Sequence, residues 1–183
     1  ELIYSVQQAA TRLSEIVSAL KSYSYLDQAP VQEIDVRKGI EDPVLILRHK
    51  LDGIEVAREY DEELPPIEAY ASELNQVWTN LIDNAADAVD GVDEPRITIR
   101  SLPDAENDEM IVIEIEDNGS GIPANIQRRV FDTFFTTKPP GRGTGLGLDI
   151  SYNIVVHKHR GVIDLESVPG RTVFRVSLPI RGV

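Results

Sequence analysis

The chain has 183 residues, of which 42% are hydrophobic and none is cysteine, and its formal net charge is −13. This composition allows one domain of ordinary size with its own core, and it excludes a disulfide framework and a thiolate metal site. The acidic balance argues against nucleic acid as the main ligand, and the lack of any apolar run approaching ~18 residues argues against membrane contact.

The chain begins with a heptad pattern. The apolar positions, spaced alternately by four and three residues, are Leu2, Val6, Ala9, Leu13, Ile16, Leu20 and Tyr23. Such a seam predicts a coiled-coil-like helix, which we interpret as half of a dimerising helical hairpin; a helix packed on its own domain is the alternative. Pro30 ends the unit, because it disfavours helical geometry at Ala29. We therefore divide the chain into residues 1–28 and 31–183, and the helical pattern at Glu1 predicts a fragment of a longer protein.

Hydrophobic periodicity in residues 31–183 predicts alternating strands and helices. The predicted strands cover residues 34–36, 54–59, 96–102, 110–116, 162–167 and 172–178. The predicted helices cover residues 37–51, 71–90 and 145–159, and residues 119–144 are predicted as a long loop. The clearest apolar stripe consists of Leu74, Val77, Trp78, Leu81, Ile82, Ala85 and Ala88. Strands joined by short turns favour a mixed sheet covered by helices on one face.

Three polar side chains lie on one flank of the 71–90 helix. With 3.6 residues per turn, Asn80, Asn84 and Asp87 fall beside the apolar stripe, where they can line a cleft. Amide oxygens suit Mg²⁺, which prefers oxygen ligands. Helical Asn is often simply exposed to solvent, but Asn is a mediocre helix former, and two at i and i+4 need a reason. We expect this flank to face a metal ion.

Two polar residues are predicted to point inward at strand ends. Asp117 continues the parity of three isoleucines at alternate positions before it, and Thr172 shares parity with Phe174 in the last strand. A buried carboxylate is costly without a donor, and an adenine amino group can be that donor. A turn-initiating Asp before Asn-Gly is the alternative, which explains the residue type but not its parity.

The loop between the two glycine motifs combines glycine with positive charge. Residues 117–121 read DNGSG and residues 143–148 read GTGLGL. Glycines let backbone N–H groups approach phosphate oxygens, and the following helix presents its N-terminus to them. From Gly119 to Gly145 there are four basic side chains and one acidic side chain. We predict a nucleotide site with Lys138 on a phosphate and with a loop that closes as a lid.

Three of the four phenylalanines lie in this loop, namely Phe131, Phe134 and Phe135. In a mobile loop they would form a docking surface. In a fixed loop they would pin it to its own core. The sequence leaves both alternatives open.

The motifs, in this order, resemble those of a known family. Residues 80–85 (NLIDNA) match its N box, 117–122 (DNGSGI) its G1 box, 131–138 (FDTFFTTK) its F box and 143–148 (GTGLGL) its G2 box. Over about residues 31–180 the chain resembles the catalytic and ATP-binding domain of sensor histidine kinases, in the group shared with DNA gyrase, Hsp90 and MutL. The resemblance implies a two-layer α/β sandwich of the Bergerat type that binds ATP and Mg²⁺.

The resemblance also implies roles for single residues. Asn84 would be the principal Mg²⁺ ligand, with Asn80 beside it. Asp117 would bind the adenine amino group, supported by Thr172 through water. Lys138 would contact phosphate, and Lys138 and Asn80 would be the catalytic residues. The implied nucleotide-contacting residues are Asn80, Asn84, Asp87, Asp117, Gly119, Gly121, Ile122, Thr137, Lys138, Gly143, Thr144, Gly145, Leu146, Gly147, Leu148 and Thr172.

The chain departs from the family pattern at several points. Ser120 stands where Pro is usual, Arg160 replaces a common Gly, and the turn at 169–172 is one residue shorter than usual. The phosphoacceptor motif is absent, because all three histidines lie in other contexts. The phosphorylated histidine is therefore expected upstream of Glu1 or on another chain.

The resemblance implies partners as well. The helix over residues 1–28 would be the second helix of a dimerisation and histidine-phosphotransfer hairpin, in a protein that is a homodimer at full length. A response regulator receiver domain would take the phosphoryl group. The absence of cysteine fits a cytoplasmic location.

Position 80 separates the rival functions. ATP-hydrolysing clamps of the same group carry a Glu four residues before the metal-binding Asn, where it activates water. Here that residue is Asn80, and an amide cannot take a proton from water near neutral pH. Phosphoryl transfer to histidine needs mainly positioning and charge neutralisation, so Asn80 favours a kinase. A GHKL-type ATPase, an anti-sigma-like serine kinase and a non-catalytic nucleotide-sensing module are the alternatives.

Overall fold

The computed structural model describes residues 30–139 and 143–183. The predicted coiled-coil-like helix over residues 1–28 lies outside the described residues, so it stays a prediction. The strands are β1 (Gln32–Ile34), β2 (Glu55–Tyr60), β3 (Ile67–Ala69), β4 (Arg96–Pro103), β5 (Met110–Asp117), β6 (Val162–Val168) and β7 (Arg171–Pro179). The helices are α1 (Val36–Ile46), α2 (Ala71–Ala88), α3 (Ala124–Gln127) and α4 (Gly147–Tyr152), and α4 continues into a π-helical turn, Asn153–Lys158.

The strands form a mixed sheet in the order β2-β4-β5-β7-β6. β2 runs parallel to β4, and the other neighbouring pairs are antiparallel. β1 and β3 pair separately as a short antiparallel ribbon. α2 packs against β5 and also contacts both α1 and α4. The two-layer α/β sandwich is confirmed.

The apolar stripe of α2 forms the centre of the core. Its fully buried members are Leu74, Val77, Trp78, Leu81 and Ile82. Burial of each such side chain contributes about 1.5–3 kcal/mol, so the stripe fixes the rotation of α2 on the sheet. Ala88 was predicted as part of the stripe, but it is only partly buried, and Ala86 is buried instead. The C-terminal end of the stripe therefore turns out of the core.

The first predicted strand and helix were misplaced by a few residues. Asp35 was predicted inside a strand, but it caps α1, because its Oδ1 accepts a hydrogen bond from the Arg37 backbone N–H at 3.1 Å. The helix ends at Ile46, and a hydrogen-bonded turn carries the chain to Leu51, whose N–H bonds the Leu47 carbonyl at 3.0 Å. This turn places Lys50 next to α2, where its side chain pairs with Asp83.

Two short elements were not predicted. β3 follows directly after Pro65 and Pro66, and α3 is a single turn inside the predicted loop. Both are too short for periodicity to reveal. The predicted helix over 145–159 exists, but it begins at Gly147 and ends with the π-helical turn.

The open face of the sheet carries a row of alternating charges. In register across five strands lie Glu59, Arg100, Glu114, Arg175 and Asp164. Three ion pairs link the first four of these side chains, at 2.6, 3.6 and 2.7 Å. The row lies on the face that none of the described helices covers, which allows two layers to suffice for this part of the chain.

A buried histidine joins α2 to the end of the π-helical turn. His159 is 1% exposed, and its Nε2 accepts a hydrogen bond from the Tyr70 backbone N–H at 3.1 Å. Its Nδ1 therefore carries the proton, which it donates to the Ile154 carbonyl at 2.8 Å. Burial lowers the pKa of His159 below its ordinary value. The junction requires the neutral imidazole.

We expect the His159→Gln variant to lose less stability in acid than the wild type. The unfolded chain takes up a proton near pH 6.5 that folded His159 resists, so its contribution is full above pH 6.5 and is lost as the pH falls below it. Glutamine keeps one donor and one acceptor without titrating. Urea unfolding of both proteins between about pH 7.5 and 5 measures the difference, and equal losses would contradict the role given to His159.

Candidate functional site

A cavity of about 800 Å³ opens between α2, α4, the long loop and the ends of β5 and β7. All the predicted nucleotide-contacting residues except Gly119 and Leu146 line it. Several lining residues had not been predicted, among them Asp83, Ala88, Ser120, Pro123, Ile126, Val130, Phe135, Thr136 and Phe174. The motifs separated in sequence therefore meet around one concave surface.

A buried carboxylate forms the base of the cavity. Asp117 is 3% exposed and Thr172, its register partner on β7, is 2% exposed, so both inward orientations are confirmed. Asp117 Oδ1 accepts a hydrogen bond from the Gly119 N–H at 2.9 Å, and this is the one hydrogen bond to that carboxylate among the described residues. Burial, together with neighbouring Glu116, raises the pKa of Asp117 to about 6 against the opposing effect of Gly119.

Close packing at Gly119 and a hydroxyl contact of Thr172 fix the backbone around Asp117. A Cβ at Gly119 would lie 2.4 Å from the Ala88 carbonyl oxygen, so only glycine fits where β5 passes the end of α2. The Thr172 hydroxyl lies 2.8 Å from the Ser167 hydroxyl on β6. Gly119 does not line the cavity, but it fixes Asp117 at its base.

The flank of α2 carries a network of ionic contacts. Lys138 from the loop donates to Asn84 Oδ1 at 3.2 Å and forms an ion pair with Asp87 Oδ2. Lys50, which follows α1, pairs with Asp87 Oδ1 at 2.5 Å and with Asp83 Oδ1 at 2.5 Å. Burial raises the pKa of Asp87, but the hydrogen bonds from Lys138 and Lys50 outweigh it and leave the pKa below its ordinary value. Asp87 therefore stays ionised between two ammonium groups.

Sequence reasoning missed Lys50 and Asp83. Lys50 lies 37 residues before Asp87 in the sequence, in a stretch without any motif, and no periodicity connects the two residues. Asp83 stands next to Asn84 on a helix already interpreted through its asparagines. The pairing of Lys50 with α2 depends on where the turn after α1 brings the chain.

The two asparagines face the cavity in different ways. Asn80 Nδ2 donates to the Gly147 carbonyl at 2.9 Å and to Ser151 Oγ at 3.2 Å, so this amide ties α2 to α4. Its oxygen faces the place where a Cβ of Gly147 would stand. Asn84, by contrast, directs its oxygen at the Lys138 ammonium. Both line one flank as predicted, but Asn80 also braces the glycine-rich turn.

The glycine-rich turn packs closely on the preceding loop. Gly145 has a φ of +69°, and a Cβ there would meet the Phe134 carbonyl carbon at 2.4 Å. A Cβ at Gly143 would lie 2.7 Å from Thr136 Oγ1. The turn thus needs glycine for its own backbone geometry as well as for access to a ligand.

The three loop phenylalanines divide between the two alternatives. Phe131 packs on Tyr152 and Phe174, with ring centroids 5.7 and 6.3 Å apart. Phe135 lies under the Arg129 guanidinium at 4.7 Å and lines the cavity. Phe134 is 70% exposed. Phe131 pins the loop to the core, Phe135 packs against a side chain of the same loop, and Phe134 leaves an apolar ring at the surface.

Residues 30–139 and 143–183 contain neither a metal-binding cluster of the usual kind nor a helix that could span a membrane. No cluster of three or more His, Cys, Asp or Glu side chains there is arranged to hold a metal ion. No helix in the same residues has the length and apolarity to cross a membrane.

Comparison with known proteins identifies relatives of this fold and site. Residues 69–182 match the model of the histidine kinase-, DNA gyrase B- and HSP90-like ATPase family. Sensor kinase CckA of Brucella abortus (strain 2308) is 31% identical over 192 residues, covering 97% of this chain and 20% of that protein. Sensory histidine kinase/phosphatase NtrB of Rhodobacter capsulatus is 36% identical over 135 residues, covering 68% of this chain and 37% of that protein. The chain thus spans well under half the length of these relatives.

Solved structures of histidine kinases are also similar to this chain. The catalytic domain of histidine kinase ThkA is 28% identical and superposes with a TM-score of 0.71, covering 82% of this chain and 97% of that domain. ThkA in complex with the response regulator protein TrrA matches with a TM-score of 0.72 at 22% identity, covering 94% of this chain and 49% of that one, and supports the fold alone. The cavity, its motifs and the family model concur, and the chain belongs to the histidine kinase-, DNA gyrase B- and HSP90-like ATPase family.

Proposed function

We propose that the chain is the ATP-binding catalytic domain of a sensor histidine kinase, which transfers the γ-phosphoryl group of ATP to a histidine on another part of the full protein or on another chain. The observation that carries the proposal is a cavity with a buried carboxylate at its base and an amide and an ammonium group on its flank. The family match and the kinase relatives support the same assignment.

The cavity suits an adenine nucleotide in polarity as well as in size. Asp117 offers a carboxylate oxygen to the exocyclic amino group of adenine, and Thr172 adds a hydroxyl beside it. Ile122 and Leu148 add apolar side chains to the lining of the same cavity, and such side chains suit the faces of a purine. The triphosphate would lie toward Lys138 and the turn that begins at Gly143, where backbone N–H groups and an ammonium favour anions.

The flank of α2 also suits Mg²⁺. The Asn84 oxygen and the Asp87 carboxylate already converge on a cation, the Lys138 ammonium, so the arrangement accepts positive charge. Both are hard oxygen donors of the kind that Mg²⁺ prefers. We propose that Asn84 holds the metal, with the oxygen of Asn80 beside it. When bound, Mg²⁺ would neutralise charge on the phosphate oxygens.

The reaction that this site favours is transfer rather than hydrolysis. Asn80 is an amide and cannot act as a general base toward water, whereas a neutral imidazole nitrogen is already a nucleophile. In the proposed reaction that nitrogen attacks the γ-phosphorus as the bond to ADP breaks. Lys138 would neutralise charge on the transferred group. Asn80 would hold the glycine-rich turn in place through the Gly147 carbonyl.

The same proposal names the partners. Residues 1–28 would belong to a dimerisation and histidine-phosphotransfer hairpin, in a homodimeric full-length protein, and a response regulator receiver domain would accept the phosphoryl group. ThkA, whose catalytic domain is 28% identical to this chain, has itself been solved in complex with a response regulator protein, TrrA. A domain that uses ATP and meets a response regulator would lie in the cytoplasm.

The test is binding followed by transfer. We expect the chain to bind ATP in the presence of Mg²⁺ in a calorimetric titration, and then to label a supplied histidine hairpin of its own full-length protein from γ-labelled ATP. A hairpin with Ala in place of its histidine is the control and should stay unlabelled. Rapid ATP hydrolysis without any hairpin would instead support the clamp ATPase, and the absence of ATP binding would exclude both functions.

A further inference from the structure

One carboxylate on α2 is shared by two lysines from opposite sides. Lys50 contacts Asp87 Oδ1 and also Asp83, while Lys138 contacts Asp87 Oδ2 and also the Asn84 oxygen. The side chains of Lys50 and Lys138 are 34% and 31% exposed, so solvent screens both pairs only in part. The two lysines differ in their second partner: Lys138 contacts the amide oxygen of Asn84, whereas Lys50 contacts the carboxylate of Asp83.

The oxygens that bind Lys138 are those that would bind the metal. The Lys138 ammonium group contacts both Asn84 Oδ1 and Asp87 Oδ2, so it occupies the space between these oxygens in which a metal ion would have to lie to bind both of them. A metal ion and the Lys138 ammonium group bound to the same two side chains would also repel each other strongly, because the site is half-buried. Either the lysine or the metal can occupy this position, and the structure shows the lysine there.

From these contacts we propose that Lys138 is the resident cation of the metal position in the nucleotide-free protein, and that it gives way when Mg²⁺ arrives with nucleotide. The inference rests on the proposed function, since it takes Asn84 as the metal ligand. Lys50 has a different part. It pairs with Asp83 and Asp87 in this structure, and in the proposed exchange it would keep both pairs and hold the Asp87 carboxylate in position.

The exchange makes metal and nucleotide depend on each other. Without nucleotide, a lysine that leaves Asn84 and Asp87 gives up its partners, so the metal alone binds weakly. With nucleotide, the phosphates offer the freed ammonium a new partner. The two ligands therefore bind with positive coupling, and removal of the lysine should abolish most of that coupling.

The experiment titrates Mn²⁺ alone into nucleotide-free protein and follows the free ion by electron paramagnetic resonance. We expect the Lys138→Met variant to bind Mn²⁺ at least about fivefold more tightly than the wild type, at the lower end of the roughly 5–150-fold range of ordinary coupling. Lys50→Met is the matched control, because it removes the same charge from the same carboxylate and leaves Asn84 occupied. It should change the affinity by less than about twofold, as a partly exposed ion pair does.

The outcomes separate this inference from the proposed function. Equal gains in the two lysine variants would reduce the effect to general electrostatics, and no gain in Lys138→Met would overturn the exchange. Lys138→Gln serves as a second variant if the first is poorly folded by circular dichroism. A parallel titration of the wild type with ATP and Mg²⁺ tests the function itself. If that titration shows binding while Mn²⁺ affinity is unchanged in the variants, only the exchange is wrong.

Discussion

Asp117→Asn is expected to weaken ATP binding by roughly 10- to 100-fold, because a hydrogen bond to a charged group contributes about 1.5–3 kcal/mol. The amide can still accept the Gly119 N–H through its oxygen, so the turn behind the base is preserved. What changes is the atom opposite, where an NH₂ group replaces a carboxylate oxygen and faces the amino group of adenine donor to donor. Calorimetric titration of both proteins with ATP and Mg²⁺ measures the change.

The same substitution should not destabilise the fold. The pKa of Asp117 is raised to about 6, so its contribution to stability is full below the unfolded value of 3.8 and is lost as the pH rises through about 6. Above pH 6 the folded protein carries a buried charge that asparagine lacks. We therefore expect the melting temperature of Asp117→Asn at about pH 7.5 to equal or exceed that of the wild type.

An exposed aspartate provides the control. Asp164→Asn makes the same chemical change on the open face of the sheet and should leave ATP affinity within about twofold, as surface charges do. The affinity of the wild type should also fall as the pH drops below about 6, where Asp117 becomes protonated, and it should fall by more than that of Asp117→Asn, because ATP itself titrates in both experiments but only the wild type loses a carboxylate. Equal affinity of Asp117→Asn and the wild type at pH 7.5 would contradict the adenine contact.

Asn84→Ala is expected to abolish the dependence of nucleotide binding on Mg²⁺. With the wild type, Mg²⁺ should tighten ATP binding, because the metal links the phosphates to α2. Without the Asn84 oxygen that link is lost, and metal-dependent affinity should fall by roughly 10- to 100-fold, the range seen when the support of a metal site is removed. ATP binding in the presence of a chelator should change little. Titrations with Mg²⁺ and with EDTA give the two affinities.

Asn75→Ala is the matched control for this change. Asn75 lies on the same helix but does not line the cavity, and its oxygen is close to Gly39 on α1. Its replacement should leave the ratio of the two affinities unchanged. If Asn84→Ala kept the full effect of Mg²⁺, the metal would have to bind through other groups, and the exchange with Lys138 would lose its basis too.

Features with a regular period were predictable from the sequence. The predicted stripe of α2 repeats over about four turns, so the helix and, apart from Ala88, its buried face followed from spacing alone. The parity of β5 likewise predicted that Asp117 points inward, because a strand alternates strictly between its two faces. These two elements supply the flank and the base of the cavity, which is why so many of its residues were identified in advance.

Features that depend on tertiary packing were not predictable in this way. The contact of Lys50 with Asp83 and Asp87 arises from a turn after α1 whose direction no local pattern encodes. The brace from Asn80 to the Gly147 carbonyl depends on how α4 meets α2. The loop phenylalanines were equally ambiguous, since an aromatic side chain in an aperiodic segment can be buried or exposed according to what folds over it.

The most direct test of the account is a crystal structure of the chain with Mg²⁺ and a non-hydrolysable ATP analogue. We predict the amino group of adenine within hydrogen-bond distance of the Asp117 carboxylate, the metal on the Asn84 oxygen, and the Lys138 ammonium moved from Asn84 to a phosphate. A nucleotide bound away from Asp117, or no nucleotide at millimolar concentrations, would contradict the assignment of this cavity.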